Sequence, residues 1–189
     1  MADTVILDPG FRPMDRLFDP AMRARLESLA QIVWARNDLM PPEAVETHRA
    51  EAIAVISPDW RYGDVRAFPK LRAILDVGGG FPTQERLDYA HCFREGIQVL
   101  TCAPGVAPAV AEMALGMAID VFPEEPLPAE HPLRQAGGVL LSPHRAGGGL
   151  ETYRRIGGMV IDDLEAILNG LPPRRMQAAR PEWIALRSF

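Results

Sequence analysis

The sequence predicts an α/β domain built on an open, parallel five-stranded sheet with helices on both faces. Three observations predict it. Short apolar runs alternate with longer amphipathic stretches through the first two-thirds of the chain, the rhythm of strands linked by crossover helices. Most of the short runs are continuous in Val, Ile and Leu rather than alternating, as strands covered on both faces require. Finally, 189 residues, 48% of them hydrophobic, suffice for one substantial core without disulfide or metal staples.

Thr4–Leu7 opens the first unit and is followed by a helix over Met14–Leu29. Gln31–Arg36 is the second strand. Pro41-Pro42 then starts a helix over Pro42–Ala50, proline being tolerated in a first turn because its missing N–H would be unpaired there anyway. Ala52–Ser57, a helix over Gly63–Phe68, Arg72–Val77, a helix over Gln84–Arg94 and Ile97–Cys102 continue the alternation. The next helix, Ala107–Ile119, has almost no polar face, so it should be buried all round. The texture then changes to Asp120-Val121-Phe122-Pro123-Glu124-Glu125-Pro126-Leu127-Pro128, an acidic loop broken by prolines. Gly138–Ser142 is a sixth strand-like run, followed by Pro143-His144-Arg145-Ala146 and Gly147-Gly148-Gly149. The last helix starts near Leu150, with Ile156, Val160, Leu164, Ile167 and Leu168 as its core stripe and Gly170 and Pro172 as its stop. The expected organisation is one domain over residues 1–170, followed by a tail over 171–189 that reads as a packed or frayed extension, not a binding arm.

Charge excludes several classes. With 20 basic against 25 acidic residues the net charge is −5, the wrong sign for a nucleic-acid partner. Lys70, beside Pro69, is the sole lysine, so neither a phosphate-binding G-K-[ST] loop nor a Schiff-base lysine is expected. Cys92 and Cys102 lack C-x-x-C spacing; they read as buried small hydrophobes in a reduced, cytoplasmic compartment. The N-terminus has no basic and apolar leader pattern. Thr101–Ile119 is interrupted by Pro104, Pro108 and Glu112, so no membrane span is expected.

Val77-Gly78-Gly79-Gly80-Phe81-Pro82 follows a strand and precedes a helix, the place where a dinucleotide fingerprint would sit. The G-x-G-x-x-G spacing fails at Thr83, and in the second glycine cluster at Thr152. Glycines at the C-terminal end of a parallel strand still expose backbone N–H groups at the rim where ligands bind, so Gly78, Gly79 and Gly80 read either as a carboxylate cradle or as a tight turn. The order of Asp8 and Asp59 near strand ends suggests a phosphoacceptor receiver domain, but the lysine such a domain needs is absent. Among the histidines, His48, His91 and His131 have no second ligand at metal spacing. His144 follows a buried-looking strand and is held by Pro143, so it reads either as a general acid/base or as a satisfied structural histidine. Glu124 and Glu125 are the acids available to fix its tautomer.

Asp120–Leu127 and Val139-Leu140-Leu141-Ser142-Pro143-His144-Arg145-Ala146-Gly147-Gly148 closely resemble the C-terminal signature of D-isomer-specific 2-hydroxyacid dehydrogenases. Leu71–Gly80, Arg94-Glu95-Gly96-Ile97-Gln98-Val99 and Ala109-Val110-Ala111-Glu112-Met113-Ala114-Leu115 resemble that family's substrate-binding half, and the likeness extends over about Asp3 to Gln177. The resemblance implies a flavodoxin-like sheet of order 2-1-3-4-5, His144 as general acid/base, Glu125 as its charge partner, and Gly79 and Gly80, with Gly78, as the loop that holds the substrate carboxylate. Phe81-Pro82 stands where relatives often place an aspartate.

In the family, the helix beginning Ala109-Val110-Ala111-Glu112 leads into a whole NAD- or NADP-binding domain, and the Asp120-Val121-Phe122 segment comes near that domain's end. Here the two are adjacent. A unit of roughly 100–150 residues is missing at a junction over 119–149, and with it the glycine fingerprint and the substrate-gripping arginine. Because the flanking signatures are intact and the cut falls at a helix–strand seam, the expected origin is deliberate excision or a natural deletion that mimics it. The cofactor carries hydride chemistry and the protein orients it, so the chain is expected to bind no cofactor and to be inactive as an oxidoreductase. It would remain a folded remnant, a weak binder of small 2-oxo or 2-hydroxy acids, or a structural scaffold. The segments Ile119–Phe122 and Val139–Ser142 lose their sheet neighbours, which predicts a homodimer, with exchange of these segments or of the final helix as a route.

Overall fold

A computed structural model describes residues 3–116, 127–135 and 148–185. Its centre is a six-stranded sheet of order β2-β1-β3-β4-β5-β6. The strands are β1 (Thr4–Leu7), β2 (Gln31–Trp34), β3 (Ala52–Ser57), β4 (Ala73–Asp76), β5 (Gln98–Thr101) and β6 (Gln177–Ala178). The first five are parallel, in the order expected, and β6 joins the edge antiparallel to β5. The tail thus supplies an unexpected sixth strand. Two residues carry no periodicity from which a strand could be read.

The strand interiors are apolar because both faces are covered. Val5, Leu7, Ala73, Leu75, Val77 and Leu100 form one core with α1 (Met14–Leu17), α2 (Pro20–Leu29) and α6 (Leu150–Leu168). Ile6, Val55, Ile74 and Val99 form the other with α3 (Pro42–His48), α4 (Tyr89–Glu95) and Ile184 of α7 (Pro181–Ala185). Ile156, Val160, Leu164 and Ile167 are buried, as their spacing on α6 predicts.

Several boundaries move for identifiable reasons. The helix expected over Met14–Leu29 is broken into α1 and α2, because Asp19 leaves the helical region and caps α2 by accepting the Met22 amide, with Pro20 in its first turn. β2 stops at Trp34 because Trp34 and Ala35 take left-handed φ of 78° and 49°. The helix expected over Gly63–Phe68 is one 3₁₀ turn, Val65–Ala67. The α4 helix begins at Tyr89, capped by Asp88, and ends on Gly96 at φ 72°. The α5 helix, Ala103–Gly116, starts four residues earlier than expected. Gly138–Ser142 lies outside the described residues.

The tail is held by a specific latch. Asp163 of α6, 1% exposed, accepts the amides of Arg174, Arg175 and Met176, and Ala179 donates to the Val99 carbonyl at 2.6 Å. No helix among the described residues is long and apolar enough to cross a membrane.

Candidate functional site

Parallel strands end at one edge, and here that edge is polar. Asp8 follows β1, Ser57 ends β3, Asp76 ends β4 and Thr101 ends β5, and all four are buried. Register places them side by side: Ser57 pairs with Asp76, and Asp76 with Thr101. Buried polar groups need partners. The Tyr62 hydroxyl donates to Asp8 Oδ2 at 2.8 Å, Ser57 Oγ donates to the Asp59 carbonyl at 2.8 Å, and the Ala103 amide donates to Thr101 Oγ1 at 3.4 Å. Burial, and then the Asp8 carboxylate, hold the Tyr62 hydroxyl protonated well above its ordinary range.

The glycine loop emerges from this edge. Gly78 is obligatory, since a Cβ there would lie 2.3 Å from the Pro58 carbonyl oxygen, and Gly79 sits at φ +104°. Asp76 Oδ1 accepts the Gly78 amide at 2.7 Å and the Gly79 amide at 3.2 Å. Arg12, 7% exposed, donates from Nη2 to the Gly78 carbonyl at 2.9 Å, fixing the loop from behind, while its Nε has no partner. Tyr153 and Phe11 rings lie 5.3 Å from its guanidinium carbon. Burial pushes the Asp76 carboxyl up to about 7, against the opposing pull of the loop amides and Arg12. In front of the loop lies a cleft of about 310 Å³ bounded by Gly79, Gly80, Phe81, Thr101, Gln177 and Trp183.

The cysteines are the buried small hydrophobes that the sequence predicts. Both cysteines are buried, and burial raises Cys102 to about 12 and Cys92 to about 11, so neither is a ready nucleophile. His144 and Glu125 lie outside the described residues. Gly78, Gly79 and Gly80 come together with Asp76 and Arg12, which the sequence reading did not single out. Asp76 passed as part of a strand, although a carboxylate closing the apolar run Ala73-Ile74-Leu75 was a signal. The positions of Arg12, Gln177 and Trp183 depend on long-range returns of the chain that no local pattern reveals.

The described residues do not fit a dinucleotide. Its pyrophosphate would face the Asp76 carboxylate, which already takes the loop amides, and no helix starts directly behind the loop, since α4 begins at Tyr89. The first turn of α5 is filled from α6: a Cβ on Gly105 would lie 2.9 Å from Met159 Sδ.

No family model matches the chain. A 59-residue segment is 42% identical to a glyoxylate reductase of Thermofilum pendens, covering 31% of this chain and 17% of that protein, which is therefore nearly twice as long. In three dimensions the chain is similar to a phosphoglycerate oxidoreductase from Rhizobium etli (TM-score 0.72, 19% identity, 94% of this chain and 98% of that one). It is also similar to an NADPH-dependent glyoxylate/hydroxypyruvate reductase from Sinorhizobium meliloti (TM-score 0.61, 14% identity, 93% and 96%). The fold they share is an α/β domain with a flavodoxin-like sheet. Over the matched segment the chain is similar to glyoxylate reductases, in line with the resemblance to D-isomer-specific 2-hydroxyacid dehydrogenases carried by its motifs.

Proposed function

We propose that this chain is the substrate-binding domain of a D-2-hydroxyacid dehydrogenase from which the dinucleotide-binding domain has been excised, and that it captures small 2-oxo and 2-hydroxy acids without transferring hydride. The observation that carries this reading is the path of the chain. It leaves α5 at Gly116 and returns at Leu150 to α6, which packs on α1, α2 and α5 of the same domain. The residues at 117–149 are too few for a dinucleotide unit of roughly 100–150 residues. The Gly78–Gly80 loop, opening on a cleft at the C-terminal rim of a parallel sheet, supports acid binding, because ligands of such sheets sit at that rim.

Two measurements test it. Purified protein should not reduce glyoxylate or hydroxypyruvate with NADH or NADPH above a His144→Ala control; a rate above that control refutes the excised-domain reading. Calorimetric titration with oxalate or glyoxylate should give heat, and silence removes the acid-binding part. Removal of a neighbouring domain also bares apolar surface. Two copies of the chain would then pair as a homodimer, with exchange of the final helix or of the segments flanking the excision as the route. Light scattering at high concentration should show a dimer, and a monomer there would rule the pairing out.

A further inference from the structure

The amides that would hold an acid already have an occupant. Asp76 Oδ1 takes the Gly78 and Gly79 N–H groups at 2.7 and 3.2 Å, and the Gly80 amide also favours its charged form. An incoming carboxylate needs the same donors. We propose that Asp76 is the positioning residue of this loop, and that a small 2-oxo or 2-hydroxy acid is captured together with one proton, which Asp76 takes as it yields the loop amides to the ligand. The proposal rests on the acid-binding reading of the loop given above.

The physical reason is competition in a dry place. Asp76 is 2% exposed, and two carboxylates sharing one set of N–H donors in low dielectric cannot both stay ionised. The surroundings decide how hard protonation is. Arg12, from the loop after β1, favours the charged form, but its Nη2 is committed to the Gly78 carbonyl. The Cys102 thiol beyond β5 stays neutral, since burial raises it and the Asp76 charge raises it further. Ser57 on β3 and Thr101 on β5 flank Asp76 as uncharged neighbours, and Asp8 beyond β1 is engaged by Tyr62. Burial outweighs the loop amides and Arg12, leaving the carboxyl at about 7, so that both forms are populated near neutral pH. The balance is simple: the ligand arrives as an anion, one proton comes from solvent, and the bound loop carries the same net charge as the free one.

The test is calorimetric titration of the whole chain with oxamate between pH 6 and pH 8, in two buffers of different ionisation enthalpy. Binding should weaken about tenfold across that range, the factor by which the protonated fraction of a group titrating near 7 falls, and proton uptake should approach one per ligand at pH 8. Asp76→Asn, checked for folding by circular dichroism, should bind with a flat pH profile, whereas His48→Ala on α3 should keep the slope. Wild-type binding that is independent of pH and takes up no proton overturns the coupling while leaving the acid-binding reading intact. So does a slope that persists in Asp76→Asn or vanishes in His48→Ala. Absence of binding in both wild type and Asp76→Asn at every pH overturns the reading of the loop, and the coupling with it.

Discussion

Two adjacent glycines on α6 should respond to the same substitution with opposite signs. At Gly157 an added Cβ would lie 1.9 Å from the Leu17 carbonyl oxygen, 2.8 Å from its carbon and 3.3 Å from Phe18 Cδ1, whereas at Gly158 the nearest atom, Met22 Cε, is 3.9 Å away. Alanine gains about 1 kcal/mol over glycine in a helix interior at either position. At Gly157 that gain is overwhelmed, because the end of α1 must withdraw by more than an ångström. Leu17 and Phe18, 0% and 1% exposed, are displaced with it. Their full burial is worth about 1.5–3 kcal/mol each. Losing a third to a half of it, with overpacking strain of about 1–3 kcal/mol, leaves Gly157→Ala destabilised by about 3 kcal/mol net. Gly158→Ala should be stabilised by up to about 1 kcal/mol. At about 2–4 °C per kcal/mol for a chain of this size, the melting temperatures should move down by about 10 °C and up by about 3 °C. Urea denaturation followed by circular dichroism gives the same comparison as midpoints. Equal shifts in one direction, or a Gly157→Ala change within about 0.5 kcal/mol, would refute the close approach of α6 to α1.

Other perturbations address the latch and the rim. Asp163→Ala strips the acceptor from the Arg174, Arg175 and Met176 amides and should cost about 3 kcal/mol, with hydrogen exchange rising first at the Ala179 amide; unchanged exchange there would show that β6 holds itself. The Asp76 carboxyl sits at about 7 in the fold and near its ordinary 3.8 in the unfolded chain, so between those values the folded state binds the extra proton. Stability from this group is therefore full below about pH 4 and falls as pH rises to about 7, by at most about 1.4 kcal/mol per unit. Compared by urea denaturation at pH 5 and pH 8, wild type should lose stability relative to Asp76→Asn, and parallel curves would disprove the shift. Gly78→Ala places a Cβ 2.3 Å from the Pro58 oxygen and should abolish acid capture, seen as loss of titration heat, whereas Gly158→Ala, whose nearest atom is 3.9 Å away, should retain it.

What was legible in the sequence divides along physical lines. The parallel strands could be read because both faces are covered and their apolar runs are unbroken, as in Ala52-Ile53-Ala54-Val55-Ile56. Their order could not; it came through family resemblance, since periodicity says nothing about neighbours. The break between α1 and α2 was signalled by Asp19-Pro20, a capping residue before a proline, inside a stretch whose apolar spacing favoured continuity. β6 was invisible because what holds it is the Asp163 carboxylate on another element.

The candidate site was half legible, and the missing half follows from the sheet being parallel. Four strands end in the same way, an apolar run closed by one short polar residue: Val5-Ile6-Leu7-Asp8, Ala54-Val55-Ile56-Ser57, Ala73-Ile74-Leu75-Asp76 and Gln98-Val99-Leu100-Thr101. Read singly, each is a strand running out into a loop. In a parallel sheet every strand ends at the same edge, and the register here aligns Leu7 with Ile56, Ser57 with Asp76, and Asp76 with Thr101. The four polar residues therefore form one row under the glycine loop. Composition identifies the glycines as a place where a backbone can meet an anion, but what those amides do is set by which member of the row they reach. They reach Asp76, whose burial is a property of the whole fold and whose charge decides whether the loop is closed on itself or open to a ligand.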